Sequence, residues 1–165
     1  MTATKRKAPR GRKPLENPDA AAGDSADNLD MSAIECHVGY LLRRAQLYVF
    51  EDVIRAFEPI GLRPATYSAL VIIAANPGRS QREIASSLGI QRPNFVAMMD
   101  EFETRGLAER LPSQTDRRSH ALKLTDRGHA LLAEANVLIK GHEKRMAKKF
   151  TPEGMKQLIA ILQGA

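Results

Sequence analysis

From Val38 the apolar residues Leu41, Leu42, Ala45, Val49, Val53, Ile54 and Phe57 return every three or four positions until Gly61. That period is one face of a helix. A second helix is predicted from Pro64, a residue suited to a first turn, to the stop at Asn76-Pro77-Gly78. Ser80-Gln81-Arg82-Glu83 has the spacing of a capping box, in which serine and glutamate satisfy each other's orphan amides. It opens a short third helix through Ile84, Ala85 and Leu88 that ends at Gly89. A fourth helix, with Pro93 near its start, carries Phe95, Met98, Met99 and Phe102 on one face and stops at Gly106.

The period then shortens to two. Strands are predicted over Leu107 to Leu111, with Leu107, Glu109 and Leu111 on one face, and over Ser119 to Leu124, where Leu122 and Leu124 alternate. Thr125 caps a fifth helix with Leu131, Leu132, Ala135, Leu138, Ile139 and Met146 at apolar positions. Thr151-Pro152-Glu153 caps a sixth holding Met155, Leu158, Ile159 and Leu162. The pattern is mainly α with a small β-wing: six helices, two of them a helix-turn-helix around Gly89, and a hairpin directly after. Such a unit lays its second helix in the DNA major groove. With the apolar face turned inward, Gln91, Arg92 and Asn94 are left outward, beside Val96 and Ala97. Glutamine and asparagine pair bidentately with adenine, and arginine with guanine.

Charge points the same way. The chain has 25 Lys plus Arg against 19 Asp plus Glu, a net +6, which favours an anionic partner. Residues 1 to 14 hold Lys5, Arg6, Lys7, Arg10, Arg12 and Lys13 with no acid, and residues 15 to 30 hold five acids with no base. Blocks of this kind seldom fold alone, so 1 to 30 is expected to be a flexible tail and 31 to 165 the folded domain. Within the tail, Pro9-Arg10-Gly11-Arg12-Lys13-Pro14 is similar to an AT-hook core, in which Arg10 and Arg12 would enter a minor groove, although one lysine spoils the spacing.

Other classes find little support. Ala69 to Ala75 is the longest apolar run and far too short to span a bilayer. The basic start leads into acids rather than the apolar stretch of a secretory signal, and Cys36 is the only cysteine, so a soluble, cytosolic protein is expected. Asp116, Ser119 and His120 could be mistaken for a catalytic triad, but neighbours on a strand face opposite ways. The four histidines lack ligand spacing and no phosphate-binding glycine loop is present. No enzyme, cofactor or metal is expected.

The turn between the strands reads Ser113-Gln114-Thr115-Asp116-Arg117-Arg118. A basic wing tip can reach a narrow minor groove, and Asp116 is close enough in sequence to hold Arg118 in a paired geometry. Residues 36 to 163 resemble the multiple antibiotic resistance regulator (MarR) family of winged helix-turn-helix transcription regulators. The resemblance rests on Ile90 to Gly106, on Leu107-Ala108-Glu109-Arg110, and on Asp116-Arg117-Arg118-Ser119 leading to Leu122-Lys123-Leu124-Thr125-Asp126-Arg127-Gly128. It implies a homodimer built through the first, fifth and sixth helices, with a DNA-binding lobe over about 64 to 125 and a pseudo-palindromic double-stranded operator. Asp116 and Arg118 match the family's wing pair, while Arg117 falls on a variable position suited to phosphate. Ala97 departs from the polar residue that many relatives carry in this helix. The family also implies repression relieved by a small effector, an aromatic or phenolic acid or its coenzyme A thioester. The matching positions here are Tyr40, Arg43, Arg44, Tyr48 and Tyr67. Two alternatives stay open: redox sensing through Cys36, and ligand-independent coating of A·T-rich DNA.

Overall fold

The computed structural model describes residues 29–112 and 120–164. They fall into two units divided after Leu41. In the first, Asp30 Oδ1 accepts from the amide of Ser32 at 3.0 Å and starts a one-turn helix, α1 (Ser32–Glu35). A single turn is too short to show periodicity, so seven α-helices stand among the described residues where six were expected. Cys36, His37, Val38 and Leu41 are exposed in this unit, and Tyr40 is half-buried.

The second unit begins inside α2 (Val38–Phe57), which ends in a 3-10 turn (Glu58–Ile60) and a left-handed Gly61. Then follow α3 (Pro64–Ala75), α4 (Gln81–Ser87), α5 (Arg92–Thr104), β1 (Ala108–Pro112), β2 (His120–Leu124), α6 (Asp126–Phe150) and α7 (Pro152–Gln163). Phe57, Leu70, Ile73, Phe95, Met99, Phe102 and Leu122 are fully buried in one cluster. Each such side chain is worth about 1.5–3 kcal/mol of transfer free energy, so the core is carried by α2, α3, α5 and the hairpin together.

The strands pair antiparallel, Ala108 opposite Leu124 and Arg110 opposite Leu122. This corrects the expected start of the first strand. Leu107 does not begin the strand; its amide donates to Phe102 O at 2.8 Å while Gly106, at φ 65°, donates to Glu103 O, the paired bonds that close a helix C-terminus. Alternation therefore starts at Ala108, which is buried, and Glu109 and Leu111 face out. A third short segment joins the hairpin: Gly78 N donates to Leu122 O, Leu122 N to Arg79 O, both at 2.9 Å, and Ser80 bridges Ala121. The start of α4 is thereby fastened to the wing.

Several large apolar side chains of α2, on its apolar stripe and beside it, are uncovered. Leu42, Leu47, Phe50 and Ile54 on that helix and Ile159, Ile161 and Leu162 on α7 are 46–68% exposed. Among the described residues no helix is long and apolar enough to cross a membrane.

Candidate nucleic-acid interface

The helix-turn-helix is closed at each joint by a local bond. Ser80 Oγ accepts from Glu83 N, and Glu83 Oε2 accepts from Ser80 N at 2.8 Å, the predicted capping box. Between the helices Gly89 adopts φ 63°, its amide donating to Ser86 O and that of Ile90 to Ala85 O. A side chain is strained in that backbone region, so glycine sets the angle between α4 and α5. Phe95, Met99 and Phe102 turn α5 onto the core, and Gln91, Arg92, Asn94, Val96 and Ala97 are left exposed, as expected. Gln91 occupies the N-cap without a side-chain cap bond, so the helix start keeps amides and positive dipole for an incoming phosphate.

Downstream on α5 lie three carboxylates, and every one is met by an arginine. Arg105 Nη1 donates to Glu101 Oε1 at 3.2 Å. Arg110, from β1, donates through Nη2 to Asp100 Oδ1 at 2.8 Å and to Val96 O at 3.3 Å, through Nη1 to Glu103, and through Nε to Gln81 Oε1 on α4 at 3.1 Å. The register Pro112 opposite His120 brings both ends of the wing turn together. Asp116, Arg117 and Arg118 lie outside the described residues, as do Arg10 and Arg12.

Of the effector candidates in the second unit, Tyr48 and Tyr67 meet α6 at separate places. Tyr40 belongs to the first unit. Arg43 Nη1 donates to Gln46 Oε1 at 3.1 Å, and Arg44 is exposed. Tyr48 stands edge-on to Phe150 with Lys149 Nζ 4.5 Å above its ring. Tyr67 packs on Phe57 and donates its hydroxyl to Asn136 Oδ1 at 2.9 Å, and burial, with the charge of Glu143, raises the pKa of its phenol. The α6 partners of the two tyrosines, Lys149 and Asn136, are thirteen residues apart, roughly 20 Å along a helix. That span exceeds one aromatic ring.

One cluster around the buried His142 escaped the sequence reading. His142 Nδ1 lies 2.6 Å from Asp52 Oδ2, and Arg145 reaches the same carboxylate through Nε and Nη2 at 2.8–3.2 Å. The Arg145 guanidinium, more than His142, holds the Asp52 carboxyl down to about 2 against the opposing effect of burial. These residues are some ninety positions apart in sequence, so no spacing could have paired them. Together they lock α2 to α6.

The chain matches the MarR family model over residues 60–119. Its fold is similar to that of the transcriptional repressor CouR solved bound to a 23-mer DNA duplex, with 47% identity and TM-score 0.80, over 82% of this chain and 96% of that one. CouR solved bound to p-coumaroyl-CoA is similar at 45% identity and TM-score 0.75, over 82% and 95%. A putative transcriptional regulatory protein for the hcr operon of Thauera aromatica is 30% identical over 127 residues, 76% of each chain. The winged helix-turn-helix, with the capping box of α4 and the left-handed Gly89 between its helices, and these relatives agree: the chain belongs to the MarR family of transcription regulators.

Proposed function

We propose that this chain acts as a homodimeric repressor, without enzymatic activity, that binds a pseudo-palindromic operator in the bacterial cytoplasm and leaves it when an aromatic acyl-coenzyme A thioester binds. The observation that carries the reading is the likeness, at 45–47% identity, to a repressor solved both on DNA and with p-coumaroyl-CoA. The exposed apolar stripe on α2 and α7 supports a second copy as its cover, since patches of this kind on a soluble chain mark an interface. Gln91, Arg92 and Asn94 take the base edges, and Arg118, oriented by Asp116, takes the minor groove, with Arg117 on phosphate. Arg10 and Arg12 add attraction to the backbone.

A thioester is favoured over a free acid by the likeness to the repressor solved with p-coumaroyl-CoA. Tyr48 and Tyr67 contact α6 far apart, and a ligand with an aromatic end and a long anionic end can use a tyrosine at one place and Arg43 or Arg44 at another. Release then requires that the thioester prefer a spacing of the two recognition helices that the operator does not.

The test is fluorescence anisotropy with DNA from upstream of the chain's own gene, in excess unrelated competitor, titrated with p-coumaroyl-CoA, p-coumarate and coenzyme A. Release by the thioester alone is expected. Release by the free acid alone, or binding that disappears with competitor and ignores all three, refutes the reading.

A further inference from the structure

We propose that Arg110 is a positioning residue for DNA recognition: it couples the recognition helix to the wing and neutralises the acidic flank of that helix. The inference rests on the reading of α5 as the DNA-reading helix. Arg110 stands within the hairpin that carries the wing, opposite Leu122. Its side chain is 16% exposed, and its fork is spent on acceptors from two helices: Gln81 of α4, and Val96, Asp100 and Glu103 of α5. Its own amide also donates to Glu103 Oε1 at 3.2 Å, so one glutamate grips both the backbone and the side chain of the strand. An exposed ion pair between two flexible side chains fixes little. A guanidinium with this many directed bonds holds one orientation of strand against helix.

The charges make the second half of the case. Asp100 and Glu103 lie on the helix that must approach a duplex carrying a phosphate charge every ~1.7 Å, and unscreened carboxylates on it oppose that approach. Glu101 is already matched by Arg105. Arg110 engages the other two. The contact that sets the angle between helix and wing therefore also lowers the charge opposing DNA. The carboxylate pair aims the arginine.

The experiment uses the full chain, a duplex enriched by the wild type from a random pool, and an unrelated duplex of equal length. The first variant is Asp100→Asn with Glu103→Gln, since both side chains are substantially exposed and the amides keep their size while removing the charge. It is expected to bind the unrelated duplex at least as well as the wild type while its preference for the enriched duplex falls about ten-fold or more. Arg110→Lys keeps the charge without the fork and should lose preference in the same way. Arg110→Met should weaken on both duplexes, and adding Asp100→Asn with Glu103→Gln to it should restore the unrelated duplex but not the preference. Circular dichroism confirms that each variant is folded. Wild-type preference in the folded double variant or in Arg110→Lys overturns the coupling, and unchanged binding of Arg110→Met to the unrelated duplex overturns the neutralisation. A wild type that enriches no sequence removes the reading of α5 itself.

Discussion

Gly128→Ala should destabilise the protein by about 2–4 kcal/mol, although it replaces a glycine inside a helix. A Cβ built on Gly128 meets Leu107 O at 1.9 Å and Leu107 C at 2.9 Å. Leu107 cannot retreat: its side chain is buried and its amide is held to Phe102 O at 2.8 Å. The start of α6 must move instead, and overpacking of this kind costs about 1–3 kcal/mol. The shift also breaks contacts around Thr125, whose Oγ1 accepts from Gly128 N at 3.1 Å and donates to Gly106 O at 2.6 Å, while its amide donates to Leu107 O at 3.1 Å. Losing the cap costs ~1 kcal/mol and the amide bond a similar amount. Against this, alanine gains about 1 kcal/mol of helix propensity at most. Urea unfolding followed by circular dichroism measures the difference, at several protein concentrations because association is linked to stability. A Gly128→Ala variant as stable as the wild type, or more stable, would mean that α6 and Leu107 do not meet as described.

Two further outcomes can be measured. Asp52→Asn should cost about 1–2 kcal/mol near neutrality, after discount for the exposed Arg145. Because the folded pKa of about 2 lies below the unfolded value near 3.9, the stabilisation is complete above pH ~5 and fades as pH falls toward 2. The gap between wild type and variant should close over that interval; a gap independent of pH would show that the pair contributes no charge interaction. In DNA binding, Arg118→Ala should cost about 1–3 kcal/mol on the operator, whereas Arg117→Ala should weaken all duplexes alike and reduce the salt slope by about one. Equal effects of the two on operator and unrelated DNA would remove the division of roles between them.

Local rules explain how much of this fold was legible in the sequence. The boundaries at Ser80, Gly89, Gly106 and Thr125 follow from caps and left-handed glycines, which involve residues three to five apart and so leave a mark in the chain. The helix α1 left none, because one turn has no period. The third partner of the hairpin left none either, since Gly78 to Ser80 is too short to alternate and its pairing with Leu122 spans more than forty residues. The stripe on α2 was read correctly as apolar, yet much of it is exposed in the single chain. Periodicity says that a face is covered, and is silent on whether the cover is the same chain.

The site shows the same division more sharply. Gln91, Arg92 and Asn94 could be named because a helix with one buried face leaves its other face to solvent. Arg110 could not, because Leu107 and Leu111 make the face they share with Glu109 read as the apolar one, whereas the structure turns Ala108 and Arg110 inward. Leu107 reads as the first β residue by composition but is the last residue of the cap that ends α5. Helix termination thus decides which strand residue faces inward, and here that decision puts an arginine rather than Glu109 against Asp100 and Glu103. Had Glu109 faced inward, three carboxylates would have met on the flank of the recognition helix with no cation between them. The left-handed Gly106 therefore does more than stop a helix: it sets the phase of the hairpin, and the phase sets the charge presented to DNA.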